Sequence, residues 1–488
     1  MKNINLIFYC VLFLFSTLTT HCQTFEKYYH TSLDDRSSDA IELNNGSYLI
    51  VINRGDYFTQ FGDFLLLNVD STGQFIDSLV YNSSDNYNYF GVAILYSIND
   101  SVYICTRVCE DENEFHYFNI IKFDNNFNTI LDTIVGSPIA DQYIFYYLLT
   151  FDNKIVINVS ETVNNSFYLY EYDLFIDSLS YHPIIDTGGL IYQWPVITHD
   201  IPDINRYQVY MFDAYKTIFG VNRINYTIEE TYSYFPDNFL PKTSVNGFND
   251  STYLVAGQLT DYSSGDVRFI PAFFEIDFQG NLLSYNEIDL QNDTSTYLTG
   301  KCFVTSSDRI YIAETYNYTN IPPFTIIPEQ RWIWLMCLYP DGTLDWQRFY
   351  KGEVNYMPYK LLPTNDGGLL IVSNKYDWND PVPYQRDVHI LKVDSTGWYQ
   401  GLTTGLPEQT KENQILVYPN PASDYVHFAF GYYSNLQIAI YSSQGQQVFT
   451  GQFDKKATFD ISLLPAGMYT YTINNDNGFF ERGKIIKQ

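Results

Sequence analysis

The sequence is short of positive charge: 27 Lys and Arg stand against 56 Asp and Glu, a net charge of −29 over 488 residues. A surface this acidic is repelled by phosphate backbones and anionic membranes, so no nucleic-acid partner is expected. Charged residues of both signs make up only 17%, which excludes a disordered, charge-dominated chain. Beyond the N-terminus no apolar run approaches the roughly 20 residues of a membrane helix, so no membrane span is expected. The 6 cysteines form no zinc pattern, and the 7 histidines are scattered with no local pair. Cys105 and Cys109 lie in a strand-like run whose extended length of about 13 Å is too great for a disulfide. Free, packed thiols are expected at Cys105, Cys109, Cys302 and Cys337. No Gly-rich phosphate loop, nucleophile elbow, metalloprotease helix or EF-hand loop is present, so no cofactor, metal site or catalytic residue is assigned.

What the sequence has in abundance is aromatic and turn-forming residues. With 46 Tyr, 36 Phe and only 5 Met, and a body rich in Asn, Asp, Ser and Thr, the balance favours strands and turns. Lys2, an apolar run over residues 4–18 and the end Thr20-His21-Cys22 read as a secretory signal at residues 1–22, with cleavage before Gln23. Acylation of Cys22 is the weaker alternative, because Thr-Thr-His precedes it instead of a lipobox.

A repeat organises residues 23–402. An apolar run ending in a polar turn recurs at residues 65–73 (LLLNVDSTG), 120–126, 169–175, 219–226, 273–280, 336–342 and 390–397 (ILKVDSTG). A second element, a polar turn followed by an alternating strand, precedes each by 18 to 28 residues, beginning near Gly46, Asp100, Asn153, Asn205, Ser251, Asp308 and Gly367. The turns recur about every 54 residues between Asp70 and Asp394, which suits one four-stranded sheet per copy. The expected fold is all-β, a seven-bladed β-propeller, with a sandwich pair or β-solenoid as rivals. The last copy is one strand short. Residues 25–30 resemble the strand at 346–351 and are expected to supply it. The repeats also resemble those of large exported bacterial surface proteins.

Residues 403–414 read as a linker, and a new unit covers 415–488. Its strands, separated by Gly, Pro and Asn turns, suit a small Ig-like β-sandwich. Asp424, Asp454, Asp460, Asp476 and Glu481 are balanced by Lys455, Lys456, Arg482, Lys484 and Lys487, so the acidity belongs to the preceding domain. The motif residues Tyr418, Pro419, Asn420 and Pro421, then Pro465, Ala466, Gly467 and Tyr469, then Gly483 and Lys484 resemble the type A C-terminal sorting domain of type IX secretion cargo. That resemblance implies passage through the periplasm, recognition by the outer-membrane translocon, removal by a sorting protease, and release or attachment at the cell surface.

Segments joining the second and third strands carry aromatic and acidic residues suited to stacking on sugar rings and accepting their hydroxyl hydrogen bonds. The candidate ligand face holds Tyr57, Glu110, Asp111, Tyr262, Tyr316, Tyr318, Asp377 and Trp378. Binding of a glycan or surface protein is expected ahead of the alternative, an extracellular polysaccharide hydrolase or lyase. Asp341-Gly342-Thr343-Leu344-Asp345-Trp346 resembles the Asp-box turn of sialidase propellers but has Tyr339 where Ser or Thr belongs. Calcium at the Asp-Ser-Thr-Gly turns is weighed against Asp capping its own turn, which is favoured. Asp77-Ser78-Leu79 and Asp177-Ser178-Leu179 resemble O-glycosylation acceptor sequences.

Overall fold

The structure is a computed structural model. It describes residues 22–31, 33–55, 62–82, 87–113, 115–139, 142–149, 154–161, 166–184, 195–201, 206–211, 217–224, 226, 228–233, 238–249, 252–261, 268–277, 281–288, 295–298, 301–306, 308–318, 331–352, 354–377, 385–399, 416–418, 422–429, 436–453, 456–474 and 480–488. Among these residues the regular elements are all strands. The chain divides into two compact units, residues 1–402 and 403–488.

In the first unit, residues 34–81, 88–139, 142–184, 195–233 and 239–287 each form an antiparallel sheet of four strands in chain order. The sixth sheet, residues 296–350, differs in its first strand. Thr296–Tyr297 and Phe303–Thr305 both pair with Ile310–Tyr316. The seventh takes three strands from residues 355–393 and a fourth from the far end of the chain. Phe25–Tyr29 pairs antiparallel with Arg386–Val393, Phe25 opposite Lys392 and Tyr29 opposite Val388. This is the outer strand that the seventh copy lacks in sequence.

The alternation expected of strand Tyr48–Gly55 is absent, because both of its faces are covered: Leu49, Ile50, Val51 and Ile52 are all fully buried. Successive strand side chains point to opposite faces. Leu49 and Val51 pack with Tyr103, Cys105 and Phe123 of the second sheet. Ile50 and Ile52 pack with Leu370, Val372 and Ile390 of the seventh. Each such side chain contributes roughly 1.5–3 kcal/mol on burial. The same face-to-face packing joins the second sheet to the third through Ile120 and Ile157, and the third to the fourth through Leu169 and Val221. The fifth, sixth and seventh share one core that includes Phe273, Trp334 and Leu391. Strands Pro195–Ile201 and Phe239–Asn249, the first of the fourth and fifth sheets, are also in contact. Outer strands have no further sheet to cover them, and Phe75–Tyr81 is largely exposed.

Polar groups pin the junction of the first and seventh sheets. Arg386 donates from Nε to Asp34 at 2.8 Å and from its backbone N–H to the same oxygen at 3.0 Å. Ser37 donates from its backbone N–H and hydroxyl to Asn374 Oδ1 at 2.7 and 2.9 Å. Buried Asp39 accepts from Lys360 at 2.8 Å, from Leu95 N–H at 3.1 Å and from Lys301, tying four sheets together.

All seven turn segments follow the third strand of their sheet. Asp70 Oδ1 accepts the N–H of Thr72 and of Gln74, both at 2.8 Å, and the Thr72 hydroxyl at 2.7 Å. Asp394 repeats this with Thr396 and Trp398. Gly73 closes the first such turn at φ +76°, with the Phe25 ring where a Cβ would project. These carboxylates therefore cap their own turns. Cys105, Cys109, Cys302 and Cys337 are buried thiols outside any disulfide.

The second unit has two antiparallel sheets. One orders Leu416–Tyr418, Tyr425–Ala429 and Lys456–Asp460; the other orders Gln447–Phe453, Leu436–Ser442, Gly467–Asn474 and Phe480–Lys487. Their core includes Val426, Phe428, Ile438, Ile440, Ile473 and Ile485.

Candidate functional site

In an antiparallel sheet the segment between the second and third strands lies at the same end as the start of the first and the finish of the fourth. Of the candidate ligand residues, Glu110, Asp111, Tyr316, Tyr318 and Asp377 belong to this end of their sheets. Tyr57, Tyr262 and Trp378 lie outside the described residues. In the second sheet, Glu110 accepts from Asn88 Nδ2 at 3.1 Å and sits 3.4 Å from His116 Nε2. Asp111 Oδ1 accepts the N–H of Asn113 at 2.9 Å and of Phe115 at 3.1 Å, while Oδ2 accepts from the Tyr117 hydroxyl at 3.2 Å. What desolvation there is raises its pKa, but these donors more than offset that and hold the carboxyl below the usual range. Asp111 is thus another turn cap.

The sixth sheet gathers aromatic side chains. Tyr316 stacks on Trp332 with centroids 5.5 Å apart and planes 5° from parallel, and Phe349 meets it edge-on at 4.9 Å. Lys351 Nζ lies 4.2 Å from the Trp332 ring centroid. Tyr318 is only 8% exposed: it stacks on Tyr297 at 4.4 Å, and Arg331 lies 5.0 Å from its ring. Its ring is spent on packing, a placement that an aromatic-rich loop does not signal in sequence. Asp377 is half-buried just after strand Leu369–Tyr376.

One titratable cluster had no sequence signal, because its members lie at opposite ends of the chain. Glu26 Oε1 is 2.9 Å from His389 Nε2 and accepts from the Tyr28 hydroxyl at 2.8 Å; Oε2 accepts from the Tyr399 hydroxyl at 3.2 Å. The His389 bond is the main reason the Glu26 carboxyl titrates below its ordinary value, while burial pushes His389 down despite Glu26. A neutral imidazole donating Nε2–H to an ionised Glu26 satisfies both directions. The cluster holds the N-terminal strand onto the seventh sheet.

The motif residues of the C-terminal unit have local physical roles. Tyr418 ends strand Leu416–Tyr418, whereas Pro419, Asn420 and Pro421 lie outside the described residues. Pro465 and Ala466 are exposed in the turn before Gly467–Asn474, and the Tyr469 hydroxyl donates back to the Pro465 carbonyl at 2.8 Å. Gly483 lies opposite Tyr471, whose ring occupies the space an added Cβ would need. Lys484, opposite Thr470, is exposed. The last strand is held on its other side by Ala422, which donates to Ile486 O at 2.8 Å and accepts from Gln488 N–H at 2.9 Å.

Residues 416–488 match the family described as the secretion system C-terminal sorting domain. The C-terminal unit is a type IX secretion sorting domain. The sorting domain directs export of the chain by the type IX machinery to the cell surface or the extracellular space. Among the described residues no helix is long and apolar enough to cross a membrane. No curated protein matches the chain. Among solved structures, it is similar to the Cps50 (Swd1) β-propeller domain of Myceliophthora thermophila, at 8% identity and TM-score 0.45, over 76% of this chain and 100% of that one. It is also similar to the WD40 domain of SCAP from fission yeast, at 9% identity and TM-score 0.39, over 77% and 99%. A copper-bound fungal alcohol oxidase aligns at 10% identity and TM-score 0.45, over 94% and 99%.

Proposed function

We propose that the exported body is a seven-bladed β-propeller that binds a glycan or protein at the cell surface, delivered by an Ig-like sorting domain that a sorting protease removes. The ring reading is supported by seven sheets packed in chain order, the seventh on the first, with the N-terminal strand completing the last. Closing the ring covers the two apolar faces that an open stack would leave at its ends. The Ig-like reading is supported by the three-plus-four strand order and by the Tyr469 to Pro465 bond, which has the geometry of a tyrosine corner. Translocon and protease are the partners this route requires.

The observation that carries the binding role is the Tyr316–Trp332 pair with Lys351 beside it, at the end from which the loops between second and third strands leave. Rings of this kind offer a flat apolar surface to a sugar or to a partner's side chains. Array measurements of the secreted chain against immobilised glycans and surface-protein fractions test it. Binding that Trp332→Ala reduces tenfold or more is expected; no binding to either class of target overturns the role.

A further inference from the structure

The fifth sheet carries a concave feature at the same end. A cavity of about 340 Å³ opens between the finish of strand Thr252–Asp261, the start of Arg268–Asp277 and the finish of Leu282–Glu287. Its volume lies within the roughly 300–1,000 Å³ of small-ligand pockets and is too small for a folded partner. Tyr285 supplies exposed apolar surface beside the buried Leu259 and Ile270, and Asp261, Glu287, Arg268 and Asn238 supply polar groups. Apolar area beside convergent donors and acceptors matches a pyranose, which presents C–H groups on one face and hydroxyls around its rim.

The lining is positioned by bonds within the sheet. The Tyr285 hydroxyl donates to Glu287 Oε2 at 2.9 Å, and its ring rests against Phe274 with centroids 4.8 Å apart, leaving the side chain 40% exposed. Arg268 Nη1 lies 3.8 Å from Asp261 Oδ2, an ion pair beyond hydrogen-bond length. Asn238 is fixed by donating Nδ2–H to Thr260 O at 3.1 Å and by accepting Thr260 N–H at 2.8 Å. Two carboxylates against one guanidinium, within a chain of net charge −29, disfavour an acidic sugar. Arg268 in turn offsets the attraction for a fully cationic one.

We infer that this cavity is a binding site for a neutral saccharide unit, with Tyr285 as stacking surface and Asp261, Glu287 and Arg268 as hydroxyl partners. The assignment rests on the glycan-binding reading above and gives it a ligand class and a location. The test is calorimetric titration of the secreted chain with neutral trisaccharides of glucose, mannose, galactose and N-acetylglucosamine, alongside galacturonate and glucosamine trimers. Wild type is compared with Tyr285→Ala, an exposed position, and with Asp261→Asn. At least one neutral trimer binds, and each substitution weakens it tenfold or more. Tighter binding of a charged trimer overturns the neutral class. Affinity unchanged in both variants overturns the cavity while leaving the glycan reading intact, whereas silence in both titration and array overturns the cavity and the glycan reading together.

Discussion

Asp35 has its carboxyl fully covered by protein, accepting from Thr31 N–H at 2.7 Å and from the Thr31 hydroxyl at 3.0 Å, with Arg54 3.8 Å away. Burial dominates over these bonds and pushes its pKa up to about 6. The folded value exceeds the unfolded one, so the folded state holds the proton more tightly and stability falls as pH rises from about 4 through 6. Asp35→Asn is uncharged at every pH and keeps an acceptor for Thr31. The stability of wild type relative to this variant should therefore drop by roughly 2.5 kcal/mol between pH 4 and 7.5, measured by urea unfolding at each pH. Asp39 behaves in the opposite sense. Burial alone would raise its pKa, but Lys301 and Lys360 outweigh it and hold the carboxyl at about 2. Its contribution is complete above about pH 4 and is lost as pH falls through 2. Asp39→Ala leaves lysines facing a buried gap and should cost roughly 3–5 kcal/mol in urea unfolding at pH 7. None of this was legible in sequence, because Asp39 and Lys301 stand 262 residues apart and each reads alone as an ordinary polar residue.

At the scale of elements, the turns were the legible part. Asp70 and Asp394 announce themselves because the bonds they make reach only two and four residues onward. Asp394→Ala removes acceptors for two N–H groups and one hydroxyl and should lower stability by about 1–2 kcal/mol in chemical unfolding. Because these oxygens already serve their own turns, adding calcium or EDTA should leave the melting temperature of wild type unchanged. The strand before each turn was equally legible, since burial on both faces leaves runs such as Phe64 to Leu67 in strand Gly62–Val69 without polar alternation. First strands were harder. In the sixth sheet Thr296–Tyr297 and Phe303–Thr305 are too short to show a period of two. The candidate ligand face was read only as composition: it found the loop end of the sheets, but could not tell that Asp111 is a cap and Tyr318 a buried ring. Arg268 begins one strand while Tyr285 and Glu287 finish the next, and they come together only through sheet register.

For the whole molecule, the two units divide the work of delivery and architecture. The sorting unit was legible because its motif residues act on near neighbours, Tyr469 bonding back to Pro465 in the turn before its strand and Gly483 making room for Tyr471 on the adjacent strand. Deleting residues 416–488 should leave the protein in the periplasm, and cell fractionation with immunoblotting reads that directly. The architecture depends on a strand from one end of the chain completing a sheet at the other. Phe25 is 7% exposed against Tyr48 and the Gly73 turn, and Glu26 bonds to His389 in the seventh sheet and to Tyr399 in its following segment. The decisive measurement is scanning calorimetry of the chain beginning at Gln23 against one beginning at Asp34. A ring closed by Phe25–Tyr29 predicts that the shorter chain melts at least about 10 °C lower or loses its cooperative transition; an unchanged melting temperature would contradict it.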